Sequence, residues 1–149
     1  RYEKIIIYDG DRELITSEIK KLMVLNKSKN IMFAMGYRFG GFNPLKSSFE
    51  WGNFMFTLFF NLLYKSNHRD ILCCAKAFYK NNLITYHLSS NRFEIDAELT
   101  ALLTLLNNRL RVPQIPLFYK RRNIIEGKKL RTSDGWKILI KIILSSRYI

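Results

Sequence analysis

The chain has 149 residues, of which 48% are hydrophobic and 14% aromatic, and its 25 Lys and Arg residues against 12 Asp and Glu residues give a net charge of +13. This composition excludes a disordered basic tail or a low-complexity linker, because such chains lack the apolar surface that offsets the entropy of ordering. The two cysteines are adjacent, which excludes a disulfide scaffold, and no apolar run reaches the roughly 18 to 20 residues of a membrane-spanning helix.

The N-terminal part has the pattern of two strands around a helix. Residues 5–8 form a short apolar, β-branched run that stops at the turn-forming residues 9–11, which predicts a buried strand. From Thr16 the apolar residues follow a helical period, which predicts an amphipathic helix with Thr16 or Ser17 as its N-cap. Residues 30–36 predict a second buried strand. This order is that of a βαβ unit whose loops gather at the carboxyl ends of its strands.

The middle of the chain predicts further helices and strands. A loop over residues 40–44 precedes an aromatic helix over about 49–64. Residues 71–79 predict either a strand or a strand-to-helix turn, which their periodicity does not separate. Residues 98–110 carry leucines at helical spacing. Residues 112–119 alternate around two prolines, which favours an edge strand or an extended segment.

The positive charge is concentrated at the C-terminal end. Residues 109–149 carry a net charge of +9, against +4 for residues 1–108, and residues 120–131 hold six cations and one acid. Such a cluster suits the phosphates of a nucleic acid, a nucleotide or a lipid, or an anionic membrane surface.

An amphipathic helix is predicted directly after this cluster, over residues 132–149, with Ser133 or Asp134 as its cap. One face of that helix carries Trp136, Leu139, Ile140 and Ile143, with Lys137 and Lys141 beside it. This layout favours a phosphate held at a membrane surface. We find no linker and no repeat, so the simplest description is one α/β domain over residues 1–149. Because the chain begins at Arg1 and leads straight into a strand, we expect a further segment upstream.

The sharpest candidate site is the pair Asp9 and Asp11, directly after the first strand, with Glu13 just beyond. Carboxylates at this spacing can supply hard oxygen ligands to Mg²⁺ or Mn²⁺ and thereby hold a diphosphate. The alternative is a solvated turn in which Asp and Gly serve only the backbone. Arg38, at the end of the second strand, is either a surface or ion-pair residue or a ligand on the same rim.

The remaining reactive side chains give weaker patterns. His68 and His87 are too far apart in sequence to predict a zinc site, and we expect them in loops or at the surface. Cys73 and Cys74 are expected to be small buried hydrophobes. The chain has no nucleophile elbow, no P-loop and no dinucleotide fingerprint, so hydrolase, P-loop kinase and Rossmann functions have no support.

Taken together, these segments resemble the C-terminal two-thirds of the catalytic domain of glycosyltransferase family 2, of the dolichyl-phosphate or polyprenyl-phosphate sugar transferase type. The matching stretches are residues 5–11, 36–39, 52–53 with Thr57 and Asn61, Asp70 with 76–78, 93–99, 112–119, and Arg122 through 126–129 to 134–135. Two features depart from the family. Its N-terminal third, with a P-x-Y-N-E-like segment, is not among these residues, and Cys73 and Cys74 stand where relatives tend to have Thr-Gly.

The resemblance implies a GT-A-like fold, which is a mostly parallel sheet with flanking helices and here lacks the N-terminal third of the domain. It also implies transfer of a hexose from a nucleotide-sugar donor to a polyprenyl or dolichyl phosphate at the cytoplasmic face of a membrane. Three sets of residues follow from it: Asp9, Asp11 and Glu13 for Mg²⁺ or Mn²⁺, Asp9, Asp11 and Arg38 for the donor, and Arg121, Arg122, Lys128 and Lys129 for the acceptor phosphate. Asp11, Arg38 and Arg122 would act in catalysis.

Two other interpretations remain open. The basic cluster at residues 120–131 and the abundant aromatic residues also fit a nucleic-acid-binding module. The chain could otherwise be a degenerate fragment that folds only with an absent partner segment. The position of the charge beside an amphipathic helix favours a lipid phosphate and a membrane surface over nucleic acid.

Overall fold

The computed structural model describes residues 2–38, 48–84, 86–107, 110–122 and 132–148, and it shows a mixed α/β fold. In chain order, the described strands and α-helices are β1 (Lys4–Ile7), β2 (Phe33–Tyr37), α1 (Ser48–Tyr64), β3 (Lys76–Tyr79), α2 (Glu94–Leu106), β4 (Gln114–Pro116) and α3 (Thr132–Ser145). Short 3-10 helices cover Thr16–Leu22, Lys27–Lys29, Lys80–Asn82 and Ser146–Tyr148.

The four strands form one open sheet in the order β1-β3-β2-β4. Strand β3 pairs antiparallel with both β1 and β2, whereas β2 and β4 are parallel. It follows that β1, β2 and β4 run in one direction and β3 runs against them. A mostly parallel sheet was expected, but two of the three described strand pairs are antiparallel because β3 lies between β1 and β2. The apolar pattern of a strand carries no information about its direction.

Both faces of the sheet are covered. On one face, Phe33, Met35 and Phe78 pack in a buried cluster with Leu99 and Leu103 of α2. The other face is covered by the segments that follow β1 and β4. Its buried cluster contains Leu14, Leu22, Leu25, Ala34, Ala77, Tyr79 and Leu117.

A third buried cluster joins the three helices. It contains Phe60, Tyr64, Ile71, Ala97, Ala101, Ile138 and Ile142. The rings of Phe60 and Tyr64 stack with their centroids 4.1 Å apart, and the Tyr64 hydroxyl donates to the Ile142 carbonyl at 2.9 Å. None of the described helices is both long and apolar enough to cross a membrane.

Most elements lie where the sequence predicts them. Strands β1 and β2 are confirmed with bounds that differ by one to three residues from those predicted, and the aromatic helix 49–64 is confirmed as α1. Within residues 71–79 the strand alternative is correct for β3, and β4 is an edge strand. Helix α3 and the 3-10 turn that follows it cover residues 132–148 of the predicted helix, and the predicted caps Ser133 and Asp134 lie inside the first turn of α3.

Two helix predictions need correction. The segment from Thr16 is a 3-10 helix rather than an α-helix, and its N-cap is Ile15, which makes no side-chain capping bond. Helix α2 begins at Glu94 and ends at Leu106, four residues before each predicted bound. Its first turn holds Glu94 and Asp96, so the leucine stripe alone places its start too late. The predicted loop at residues 40–44 lies outside the described residues.

Candidate functional site at the carboxyl edge of the sheet

The candidate residues gather at one edge of the sheet. Because β1, β2 and β4 run in the same direction, their carboxyl ends meet there, which is where open α/β sheets place their ligand sites. Asp9, Asp11 and Glu13 follow β1, Arg38 follows β2, and residues 119–122 follow β4. Arg38, which the sequence left as either a surface or ion-pair residue or a ligand on the rim of Asp9 and Asp11, therefore lies at the same edge as those two residues.

The segments after β1 and β4 pair with each other. Leu14 and Tyr119 form an antiparallel bridge, and the Lys120 N–H donates to the Glu13 carbonyl at 2.9 Å. Arg12 adopts a φ of 68°, an uncommon conformation for a side chain other than glycine. This turn lies between Asp11 and Glu13, which both contact the same cation.

That cation is Arg122. Its Nη2 donates to Asp11 Oδ2 at 2.6 Å, and its backbone N–H donates to Glu13 Oε1 at 3.0 Å. The Arg122 Nε lies 3.8 Å from Glu13 Oε1 and is buried without a hydrogen-bond partner among the described residues. Asp11 and Arg122 are both partly exposed. The structure thus joins the predicted donor carboxylate to a predicted acceptor cation 111 residues later in the chain.

Asp9 lies beside further acids. Its side chain is exposed, yet its pKa is raised, first by partial desolvation and then by the negative charges of Asp96 and Asp11. A hydrogen bond with Cys74 and, more weakly, the charge of Arg38 oppose the shift. A cation bound beside Asp9 would relieve the repulsion between these neighbouring carboxylates.

Arg38 is anchored by a buried carboxylate. Its Nε and Nη2 donate to the two oxygens of Asp70 at 2.8 and 2.9 Å, and its backbone N–H donates to Asp70 Oδ2 at 3.2 Å. Asn53 Nδ2 donates to Asp70 Oδ1 at 3.0 Å. The Arg38 guanidinium lies over the Tyr119 ring, 5.4 Å from its centroid. Arg38 is therefore an ion-pair residue that also lies at the edge with Asp9 and Asp11. The sequence had left these two positions for Arg38 as alternatives.

Burial and the charge of Arg38 together determine the pKa values of Asp70 and Tyr119. Desolvation alone would raise the pKa of Asp70, but the charge and the hydrogen bonds of Arg38 outweigh it and lower that pKa. Burial raises the pKa of Tyr119 to about 12, so its ring stays neutral beside the cation.

A second buried ion pair lies next to the site and was not predicted. Lys76, fully buried in β3, donates from Nζ to Asp96 Oδ1 at 2.9 Å and to the Cys73 carbonyl. Asp96 stands in the first turn of α2 and acts electrostatically on Asp9. A lysine inside an otherwise apolar strand pattern is the signal that could have found this pair. Its partner could not be chosen from sequence.

His68 lies in the loop between α1 and β3, as one of the two predicted alternatives, but it is not at the surface. This residue is buried, and its Nε2 lies 2.8 Å from Thr104 Oγ1. Because that hydroxyl donates to the Thr100 carbonyl at 2.6 Å, it accepts from His68. His87 is exposed, as expected. Cys73 is buried and Cys74 partly buried, and both are free thiols.

The described carboxylates at this edge do not by themselves form a metal centre. Among the described residues, no group of three His, Cys, Asp or Glu side chains is placed to hold a metal ion. Mg²⁺ is usually held by one or two carboxylates together with substrate phosphates. Glu13 accepts from the Arg122 N–H, and both oxygens of Asp11 already accept hydrogen bonds, from the Glu13 N–H at 2.9 Å and from Arg122 Nη2 at 2.6 Å. A cation at Asp11 would compete with these donors.

The predicted acceptor residues are only partly visible. Arg121 and Arg122 are described at the rim, whereas Lys128 and Lys129 lie outside the described residues. A cavity of about 1140 Å³ opens elsewhere, near the carboxyl ends of α1 and α2, and is lined among others by Tyr37, His68, Arg69 and Gln114. None of the predicted site residues that the structure describes lines this cavity.

Comparisons of the chain with protein-family models, curated proteins and solved structures find no match. The case for a function therefore rests on the arrangement of the residues described above.

Proposed function

We propose that this chain forms part of a family 2 glycosyltransferase of GT-A type, which moves a hexose from a nucleotide-sugar to a polyprenyl or dolichyl phosphate at the cytoplasmic face of a membrane. The observation that carries the proposal is the contact between Asp11 and Arg122. The contact supports the proposal because it joins the carboxylate proposed for the donor side to a cation proposed for the acceptor side, 111 residues later in the sequence.

The roles follow from the charges. Asp9 and Asp11 would hold Mg²⁺ or Mn²⁺ together with the donor diphosphate. When bound, that ion would neutralise the charge that develops on the leaving diphosphate. Arg38, fixed by Asp70 at the same edge, is proposed to lie on the donor side and to add positive charge there.

The acceptor side is proposed to consist of Arg121 and Arg122, together with Lys128 and Lys129. The unpartnered Nε of Arg122 supports this role, because a buried donor without an acceptor costs free energy that a phosphate oxygen would recover. A phosphate acceptor is already an anion near neutral pH, so its attack needs little help from a general base.

The proposal is tested with inorganic diphosphate and Mn²⁺, which probe the charged part of the site without a base or a sugar. We expect calorimetry to detect diphosphate binding that requires Mn²⁺ and is lost in Asp11→Asn. Glu3→Gln is the matched control, since Glu3 is an exposed carboxylate paired with Lys27 at 3.0 Å.

Other outcomes would refute the proposal. Diphosphate binding that is the same without Mn²⁺ and in Asp11→Asn would exclude the metal site. Tight binding of RNA or DNA that falls steeply with salt and ignores Asp11→Asn would support the nucleic-acid-binding alternative.

A further inference from the structure

The outer face of α1 is apolar. Its exposed large side chains recur at intervals of three and four residues: Trp51, Phe54, Met55, Leu58, Phe59 and Leu62. Trp51 is 47% exposed and Leu62 is 73% exposed. Residues 51–64 contain no charged side chain. A surface helix normally turns polar residues toward water, so this α1 stripe is suited to a partner that replaces water.

The polar side chains of α1 instead face inward. Asn53 donates to Asp70, Thr57 Oγ1 accepts from the Ile71 N–H at 3.4 Å, and Tyr64 donates to Ile142. These bonds fix the orientation of the helix, since rotating the stripe into the core would break them. The exposure of the α1 stripe is thus a property of the folded protein.

Helix α3 carries a second exposed apolar stripe. It consists of Trp136, Ile140, Ile143 and Leu144. Trp136 is 71% exposed. Two exposed cations lie close in sequence, Lys137 in α3 and Arg147 in the 3-10 turn that follows it. The inward face of α3 packs on α1 through Ile138 and Ile142. Both tryptophans of the chain therefore lie on the outer faces of two helices that pack together.

We propose that the α1 stripe and the α3 stripe dock onto a lipid bilayer that contains anionic phospholipids. Exposed Trp and aliphatic side chains on a basic amphipathic helix have the composition of an interfacial helix. The net charge of +9 on residues 109–149 complements an anionic surface. A second copy of the chain is a poorer occupant, because two surfaces of a +13 protein repel each other.

This inference deepens the proposed function and rests on it for the lipid acceptor, since it names the surface that would bring the Asp11–Arg122 site to that lipid. Docking itself requires neither donor nor acceptor. A loss of vesicle binding would therefore overturn the docking proposal alone, and a loss of Mn²⁺-dependent diphosphate binding would overturn the proposed function alone.

The two tryptophans provide the experiment. Trp51→Phe leaves only Trp136, and Trp136→Phe leaves only Trp51, so that fluorescence reports each helix separately. On addition of phosphatidylcholine vesicles with about one third phosphatidylserine, we expect a blue shift of both emission spectra and quenching by brominated lipid. Vesicles of phosphatidylcholine alone should produce a much smaller effect.

Leu62→Glu tests the α1 stripe directly, and we expect it to weaken vesicle binding about tenfold. Met23→Glu is the control, because Met23 is 70% exposed but lies outside both stripes. Circular dichroism checks that both variants fold. Unchanged fluorescence with anionic vesicles, or equal binding by Leu62→Glu and the unmodified chain, would overturn the proposal. A dimer in sedimentation that Leu62→Glu disrupts would assign the stripe to a second copy instead.

Discussion

Two fully buried charges lie beneath the candidate site. Asp70 is paired with Arg38, and Lys76 is paired with Asp96. A buried charge is tolerated when a partner and further hydrogen bonds replace its water, but removal of one partner leaves the other uncompensated. These pairs therefore make the edge of the sheet sensitive to single substitutions.

Asp70→Asn should destabilise the fold by about 3–5 kcal/mol, because it leaves the Arg38 guanidinium without its carboxylate. Urea denaturation measures the loss. The control is Glu3→Gln, which breaks an exposed ion pair and should cost less than about 1 kcal/mol. Equal losses in the two variants would contradict the buried-pair interpretation.

The free energy of unfolding should depend on pH because His68 is buried in the folded protein. Burial, and then the charge of Lys76, lower its pKa to about 4, against about 6.5 in an unfolded chain. Between these values the unfolded state binds a proton that the folded state does not bind. Stability should therefore fall as the pH is lowered from 6.5 to 4, by about 3 kcal/mol.

His68→Gln should flatten this part of the stability profile, as measured by urea denaturation at several pH values. His87→Gln, at an exposed histidine, should leave the slope unchanged. If both variants kept the slope, other groups would be responsible for the acid loss.

At the scale of the element, substitution by alanine should have opposite effects on stability at two glycines, Gly36 and Gly52. A Cβ at Gly36 in β2 would overlap Leu117 and lie 3.0 Å from the Ala75 Cβ, whereas nothing lies within 4 Å of a Cβ at Gly52 in α1. We expect Gly36→Ala to cost about 1–3 kcal/mol. Gly52→Ala should stabilise by about 0.5–1 kcal/mol, because alanine favours a helix. Thermal unfolding distinguishes the two, and the same sign for both would contradict the packing.

The paired segments after β1 and β4 place Arg122 in competition with a bound cation. Arg122→Gln removes the positive charge 2.6 Å from Asp11 and should therefore tighten Mn²⁺ binding. We expect about twofold to fivefold, since a partly exposed ion pair contributes about 0.5–1 kcal/mol. Titration with Mn²⁺ alone measures the change, and Arg147→Gln is the control. Weaker binding in Arg122→Gln would show that Arg122 supports the site rather than competes for it.

Across the whole molecule, the sequence predicts what depends on local pattern. The aromatic run predicts α1, and the β-branched run predicts β1. The position of Asp9 and Asp11 at the edge of the sheet is predicted because both residues directly follow that strand. The reversed direction of β3 and the Lys76–Asp96 pair depend on which distant segments meet, and a single strand or a single lysine has no pattern that reveals its partner. The burial of His68 could not be predicted for the same reason, because it depends on α1 and α2, which pack against this residue from different parts of the chain.

The position of β3 also determines the order in which the site can be assembled. Strands β1 and β2 come first among the described strands, yet neither bonds to the other, because β3 separates them. Asp11 and Arg38 cannot be held at one sheet edge until residues 76–79 have been synthesised and have paired with both strands. Contacts of such long sequence separation form slowly. Among the described strands, only β3 joins β1 to β2, so this edge of the described sheet forms only after β3 has paired with both strands.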